Sequence, residues 1–211
     1  MARRTKEEAQ ETRSQIIQAA EMCFHKKGIG RTSLAEIAAA AGVTRGAIYW
    51  HFEDKAEVVE AMLEATHLPL QPLGEASRNE NEADPLGRLR ELLVKIFERV
   101  ALDPAVRRIN EIIFHKCEYT DELCGLRQRI QNYRTLCDQN LESALRLAMA
   151  RGQLPSDLDA ALASRCVHSF LSGTIDQWLM NQEGLDLAEK APVLADGLLD
   201  MLRLSPALRI S

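Results

Sequence analysis

An all-α fold is predicted: an N-terminal three-helix helix-turn-helix module over residues 1–55 and a larger helical domain over residues 56–211, about nine helices in all. Three observations carry this. Leu and Ala are abundant while only 11 Gly and 7 Pro interrupt 211 residues. Apolar residues recur at three- and four-residue spacing along most of the chain, with no alternating stretch that reads as a strand. Finally, 46% of the residues are hydrophobic, enough for a buried core, and the length suits a module of about 50 residues joined to a domain of about 150.

The elements follow in order. A first helix runs from about Glu7 to Lys27, with Ile16, Ile17, Ala20, Cys23 and Phe24 on one face. Gly28 closes it and Gly30 permits the turn. Thr32 or Ser33 caps a short helix over Leu34–Ala41, with Glu36 placed as a capping-box partner. Residues Ala41, Gly42 and Val43 make a tight turn, and Thr44 caps the next helix, Arg45–His51. A longer helix begins near Lys55 and passes Leu63. Pro69 and Pro72 then punctuate the chain, and the acidic stretch from Gly74 to Asp84 reads as loop or fraying helix end. Pro85 opens a helix striped by Leu86, Leu89, Leu93, Ile96, Phe97 and Val100; Asp103 and Pro104 open another, reaching about Phe114. A long helix is expected over Asp121–Arg151, with Leu123, Leu126, Ile130, Tyr133, Cys137, Leu141, Ala144 and Ala148 in register, ended by Gly152 and Pro155. Two more, over Asp157–Asn181 and Leu187–Leu204, are separated by Gly184.

The net charge is −5, but its distribution matters more than its sum. Nine basic and seven acidic residues lie up to position 55; seventeen and twenty-four lie beyond. The positive balance therefore sits in the N-terminal module. No apolar run approaches the roughly 18 residues a membrane span needs, and the polar start is no signal peptide, so a cytoplasmic protein without membrane contact is expected. The five cysteines, Cys23, Cys117, Cys124, Cys137 and Cys166, fall in apolar helical patterns and read as buried thiols. No pair has zinc-site spacing, and no metal or cofactor is expected. Enzymatic readings lack support: there is no Gly-rich phosphate loop, GxSxG or HExxH, and the carboxylates lie on charged helix faces.

The segment LAEIAAAAGVTRGAIYWHF, residues 34–52, has its own mechanics. Ile37, Ala38 and Ala41 face the seam of a small three-helix unit, and Gly42 lets the backbone reverse between helices packed at a steep angle. Gly46 and Ala47 keep the second helix thin. Trp50 and Phe52 are read as core. With Ala19, Ala20, Phe24, Lys27, Gly28, Thr32, Ser33 and Lys55 added, the pattern resembles the N-terminal signature of the tetracycline-repressor (TetR) family. The stretches MARRTKEEAQETR (1–13), EIIFHKCE (111–118) and LDMLRLSPALR (199–209) resemble its multidrug-efflux-pump repressors, the AcrR and TtgR type.

That resemblance implies a DNA-binding repressor released by small apolar or aromatic inducers. Ser33 would contact a phosphate; Thr44, Arg45 and Gly46 would face the major groove, with Arg45 reading a base. Tyr49, His51 and Lys55 would hold the backbone, although Tyr49 also suits packing and Lys55 a solvated position. Arg3, Arg4 and Lys6 would form an arm that orders on DNA.

An inducer pocket needs apolar walls with a few polar groups. Asn110 lies on the face of Val106, Ile113 and Cys117; it is either a satisfied amide or a ligand contact, and the resemblance favours the second. His168, Ser172 and Asp176, at i, i+4 and i+8, are either a solvated or interface stripe or the polar side of the pocket. His67 ends the helix from Lys55 and reads as a surface or a pocket residue. Leu89, Leu93, Ile96, Ile113, Phe114, Cys137 and Leu141 complete the candidate lining, between the helices that begin near Pro85, Asp121 and Asp157. The last two helices carry more apolar surface, at Val167, Leu171, Trp178, Leu194, Leu198 and Leu202, than one small domain must bury. A homodimer on a pseudo-palindromic operator is therefore expected. A regulator of a metabolic operon sensing an acyl or aromatic metabolite is the alternative within the family. A helical interaction module without DNA specificity is the alternative outside it.

Overall fold

The computed structural model describes residues 6–117 and 124–210, with the side chain of Cys124 excepted. The arginines at positions 3 and 4, Glu118, Leu123 and the helix start expected at Asp121 lie outside the described residues. Ten α-helices are present among those described: α1 (Lys6–Lys27), α2 (Leu34–Ala40), α3 (Arg45–His51), α4 (Lys55–His67), α5 (Gln71–Ala76), α6 (Pro85–Leu102), α7 (Pro104–His115), α8 (Cys124–Ala150), α9 (Ala160–Met180) and α10 (Leu187–Leu204). The described residues contain no strand, only an isolated antiparallel bridge between Leu158 and Arg209.

The helix beyond the expected nine is α5, preceded by a 3₁₀ turn over Leu68–Leu70. Pro69 and Pro72 punctuate this segment without making it a loop. Each stands in the first turn of its element, where the missing N–H has no helical acceptor to lose. The caps elsewhere follow the residue types: Asp84, Asp159 and Asp186 accept from the backbone N–H of Gly87, Leu162 and Glu189 to start α6, α9 and α10. Gly28 and Gly152, at φ +81° and +70°, end α1 and α8 in the left-handed region open to glycine.

The chain divides into two compact units, residues 1–66 with 108–131, and residues 67–107 with 132–211. The boundary expected between positions 55 and 56 falls in the first turn of α4, and the unit that holds the helix-turn-helix is larger than the module read from sequence. Its core explains why. Ile16, Ala20 and Phe24 of α1, Ile37 of α2, Ile48 of α3 and Val58, Val59 and Met62 of α4 bury against one another. Ile109 and Ile112 of α7 and Leu126 and Ile130 of α8 complete the same cluster. Each fully buried aliphatic side chain contributes about 1.5–3 kcal/mol, so three helices alone would forfeit much of this core. Polar pairs fix the register of α7 on α1. Arg108 Nε donates to Glu21 Oε1 at 2.5 Å, His25 Nε2 lies 2.5 Å from Glu111 Oε2, and Lys116 Nζ donates to the His25 carbonyl. Glu21 is 6% exposed, so Arg108 is what makes its burial tolerable.

In the second unit α10 packs along α6, and an outer ion pair of Arg90 with Asp196, at 2.5 and 2.8 Å, spans them. Leu86, Leu89, Leu93, Phe97 and Val100 of α6 are buried, as are Val167, Leu171 and Trp178 of α9 and Leu198 and Leu202 of α10. This corrects the expected dimer stripe. Five of its six members are covered within their own subunit, and Leu194 is half-buried. Trp178 is fastened there: its indole N–H donates to the Leu185 carbonyl at 2.9 Å and the Arg107 guanidinium lies over its ring. The thiols of Cys23, Cys117, Cys137 and Cys166 are half-buried rather than buried. Burial raises the pKa of Cys23 and Cys137, which keeps both protonated.

Candidate functional site

The helix-turn-helix is built by caps. Ser33 Oγ accepts from the Glu36 N–H at 3.2 Å, while Glu36 Oε2 accepts from the Ser33 N–H and hydroxyl at 2.9 and 3.0 Å. Lys27 Nζ donates to the other carboxylate oxygen at 2.5 Å. The hydrogen bond from Lys27, then those from Ser33, hold the Glu36 carboxyl down to about 2. The one hydroxyl hydrogen of Ser33 is therefore committed to Glu36, and a phosphate contact there must replace that bond. Gly42, at φ +67°, reverses the chain, and the Val43 N–H returns to the Ala38 carbonyl at 2.9 Å. Thr44 Oγ1 accepts from the Ala47 N–H at 3.1 Å and starts α3.

Helix α3 needs only two anchors. Ile48 and Phe52, four residues apart, are 0% and 1% exposed. Thr44, Arg45, Gly46, Tyr49 and Trp50 are exposed, and Ala47 and His51 half-buried. Trp50 corrects the expectation that it belongs to the core: it is 72% exposed. Two residues past Ile48 is about 200° around the helix, so Trp50 points away from the side Ile48 buries. Its ring meets His51 edge-on at 4.5 Å between centroids. Lys55 is neither a loose surface lysine nor wholly available: Nζ donates to the carbonyls of Ile29 at 2.9 Å and Gly30 at 3.1 Å. An ammonium has a third N–H, which is what a phosphate would take.

Residues 16–62 match the family model for bacterial regulatory proteins of the tetR family, and residues 84–204 that for the C-terminal region of MAATS-type transcriptional repressors. The chain belongs to the TetR family. It is 52% identical to the transcriptional regulator TtgR of Pseudomonas putida over 209 residues, 99% of this chain and all of that one. Among solved structures it resembles NalD, described as the secondary repressor of the MexAB-OprM multidrug efflux pump in Pseudomonas aeruginosa. The TM-score is 0.78 at 32% identity, over 93% of this chain and 98% of NalD. It also resembles SmeT in complex with triclosan, at a TM-score of 0.82 and 31% identity over 95% of both chains. SmeT is described as the repressor of the Stenotrophomonas maltophilia multidrug efflux pump SmeDEF.

The candidate effector residues divide between the units. Asn110, Ile113 and Phe114 belong to the first, where all three are half-buried; Ile113 packs on the core cluster and Asn110 already has an interaction partner. In the second unit Leu89 and Leu93 are 1% and 0% exposed, so protein atoms cover them completely, whereas Ile96, Cys137, Leu141, Ser172 and Asp176 keep part of their surface. His168 Nδ1 lies 2.5 Å from Asp138 Oδ1, which ties α9 to α8. His67 stands at the end of α4 with its ring 5.2 Å from that of Tyr133, edge to face. It keeps more than a third of its surface, yet protein atoms crowd the imidazole. That desolvation, and the Arg99 charge, lower its pKa to about 4. At neutral pH the imidazole is therefore uncharged. Sequence reasoning missed Tyr133 and Arg99 as companions of His67. A tyrosine in register with Cys137 was legible, but only the fold brings it to the end of α4.

Proposed function

We propose that this protein is a dimeric repressor of a multidrug efflux pump operon, acting in the cytoplasm and released from its operator by small apolar or aromatic molecules. The observation that carries the DNA-binding part is the outward side of α3. Arg45, Gly46, Tyr49 and Trp50 face solvent from a helix held by Ile48 and Phe52, which is the arrangement a recognition helix needs. Arg45 and Thr44 read bases; Tyr49, His51, Lys55 and, once its hydroxyl leaves Glu36, Ser33 hold phosphates. Trp50 joins them as an apolar contact. What NalD and SmeT are described as repressing, and the triclosan bound to SmeT, support the efflux assignment.

The inducer site takes its polar groups from His67 at the end of α4, Tyr133 on α8 and Ser172 and Asp176 on α9, and its apolar walls from Cys137 and Leu141 on α8, all within the second unit. A neutral His67 suits uncharged aromatic ligands, since no buried cation has to be matched. The inducer shifts the protein toward a form that does not fit the operator, by no more than its differential affinity for the two forms.

Dimerisation uses the outer faces of α9 and α10. Leu162, Gly173 and Met180 line one face, and Val193, Gly197, Met201 and Leu204 the other, all exposed in the single chain. A Cβ at Gly173 or Gly197 would meet nothing within 4 Å, so each glycine leaves room for a neighbouring helix. The deciding experiment is a mobility shift with the intergenic DNA upstream of the protein's own gene, titrated with triclosan and a panel of antibiotics. Saturable retardation reversed by several chemically unrelated aromatics is expected. Retardation reversed by none of them would remove the multidrug reading and leave the regulator.

A further inference from the structure

We propose that Arg13 holds a phosphate of the operator backbone, extending the DNA footprint from the recognition helix onto α1; this rests on the DNA-binding reading above. The guanidinium carbon of Arg13 lies 5.2 Å from the centroid of the Phe52 ring. Phe52 is 1% exposed and forms the C-terminal cap of α3, so the ring is a fixed platform. Its neighbour His51 lies 6.3 Å away and Trp50 a further 4.5 Å, between ring centroids. Arg13 therefore stands at the end of a row of rings that begins with the exposed face of α3.

Partial burial without an ionic partner distinguishes this arginine among those described in its unit. In the same unit Arg108 is paired with Glu21 and Arg129 with Glu60. Among the described residues no carboxylate pairs with Arg13, and no hydrogen bond to the protein engages its guanidinium. The side chain is nonetheless half-buried and held by the ring. Stacking on a ring face uses the flat side of a guanidinium and leaves its N–H edge available, and that edge matches two phosphate oxygens. A charge held in place but unpaired costs little further ordering when a phosphate arrives. It also adds a cation beside the C-terminal end of α3, where partial negative charge gathers and would otherwise repel the DNA backbone.

The test uses the full-length protein with two duplexes, its own upstream operator and a scrambled sequence of the same length, across a series of salt concentrations. Arg13→Met keeps an unbranched side chain on Phe52 and removes the charge; Arg13→Lys keeps the charge. For Arg13→Met we expect a melting temperature near wild type and weaker binding to both duplexes. The log–log salt slope should be shallower by about 0.9 for each lost phosphate contact, roughly twice that for a dimer. Arg13→Lys should keep most of the slope. Equal binding and an equal slope in Arg13→Met, with wild type binding its operator, would overturn the proposal and leave the DNA-binding reading standing. An affinity loss that tracks a fall in melting temperature, with the slope unchanged, would make Arg13 purely structural. Failure of the wild type to bind either duplex would sink both.

Discussion

Gly46→Ala separates the demands of the fold from those of DNA. Gly46 lies in the first turn of α3 and is exposed. A Cβ added there meets only Thr44 Oγ1, at 3.9 Å, an ordinary contact. The backbone there is outside the left-handed region, so alanine adopts it without strain. Alanine is also the better helix former, by up to about 1 kcal/mol. The isolated protein should therefore be unharmed or slightly more stable. If α3 lies in the major groove with Gly46 against base edges, the same methyl has no room. Overfilling a close-packed contact costs about 1–3 kcal/mol, which is about 5- to 150-fold in operator affinity. Thermal melting and operator titration on one preparation measure both quantities. Gly42→Ala is the contrast: its Cβ also meets nothing, but φ is +67°, and forcing alanine into that region costs about 1–2 kcal/mol of stability. Its defect should appear in the melt first. Unchanged operator affinity in Gly46→Ala would show that this turn does not approach the bases, and the assignment of Thr44 and Arg45 to base reading would fall with it.

Two further outcomes follow from other parts of the structure. Val193→Glu with Met201→Glu should give folded monomers by sedimentation, with helical content intact and operator binding lost. Trp178→Ala, which empties a core site, should instead lower stability by about 3–5 kcal/mol while the folded fraction stays dimeric; an intact dimer in the glutamate variant would place the interface elsewhere. His67 has a folded pKa of about 4 against an ordinary 6.5, so as pH falls the unfolded chain takes up the proton first. Its contribution to stability is complete above about 6.5 and declines as pH drops toward 4. His67→Gln should flatten that acid-side decline in urea titrations, and superimposable profiles for the two proteins would show that the imidazole is fully solvated.

The helix-turn-helix was legible because its signals are local. A cap, a left-handed glycine and a second cap occur in the right order within residues 33–44, and each acts on its immediate neighbours. The compact unit around it was not legible, because Ile109, Ile112, Leu126 and Ile130 join its core from more than forty residues away in sequence. Helix α5 was hidden by the habit of reading proline as a breaker, which ignores its tolerance in a first turn. The candidate effector residues were the least legible. A polar residue on an apolar helical face looks the same whether a ligand or another side chain satisfies it, and only the fold shows that Asp138 takes His168.

The misassigned dimer stripe has a more general cause, and it strengthens the case for a second subunit. A helix with one apolar face is satisfied by its own domain; a helix apolar on two faces is not. In α9 the set Val167, Leu171 and Trp178 and the set Leu162, Gly173 and Met180 lie on different sides of one cylinder, and α10 repeats this with Leu198 and Leu202 against Val193, Gly197, Met201 and Leu204. Sequence periodicity alone cannot say which of two such sets the chain covers itself. The structure assigns the larger, branched and aromatic set to the inside. What is left outside holds apolar side chains beside polar ones such as Ser169 and Asp200, and a glycine stands in the middle of each face. Small residues at such positions give nothing to solvation or to the subunit's own core, but they let two helices approach closely. The inner stripe therefore accounts for the stability of one subunit, and the outer stripe stays unaccounted for until a second copy covers it.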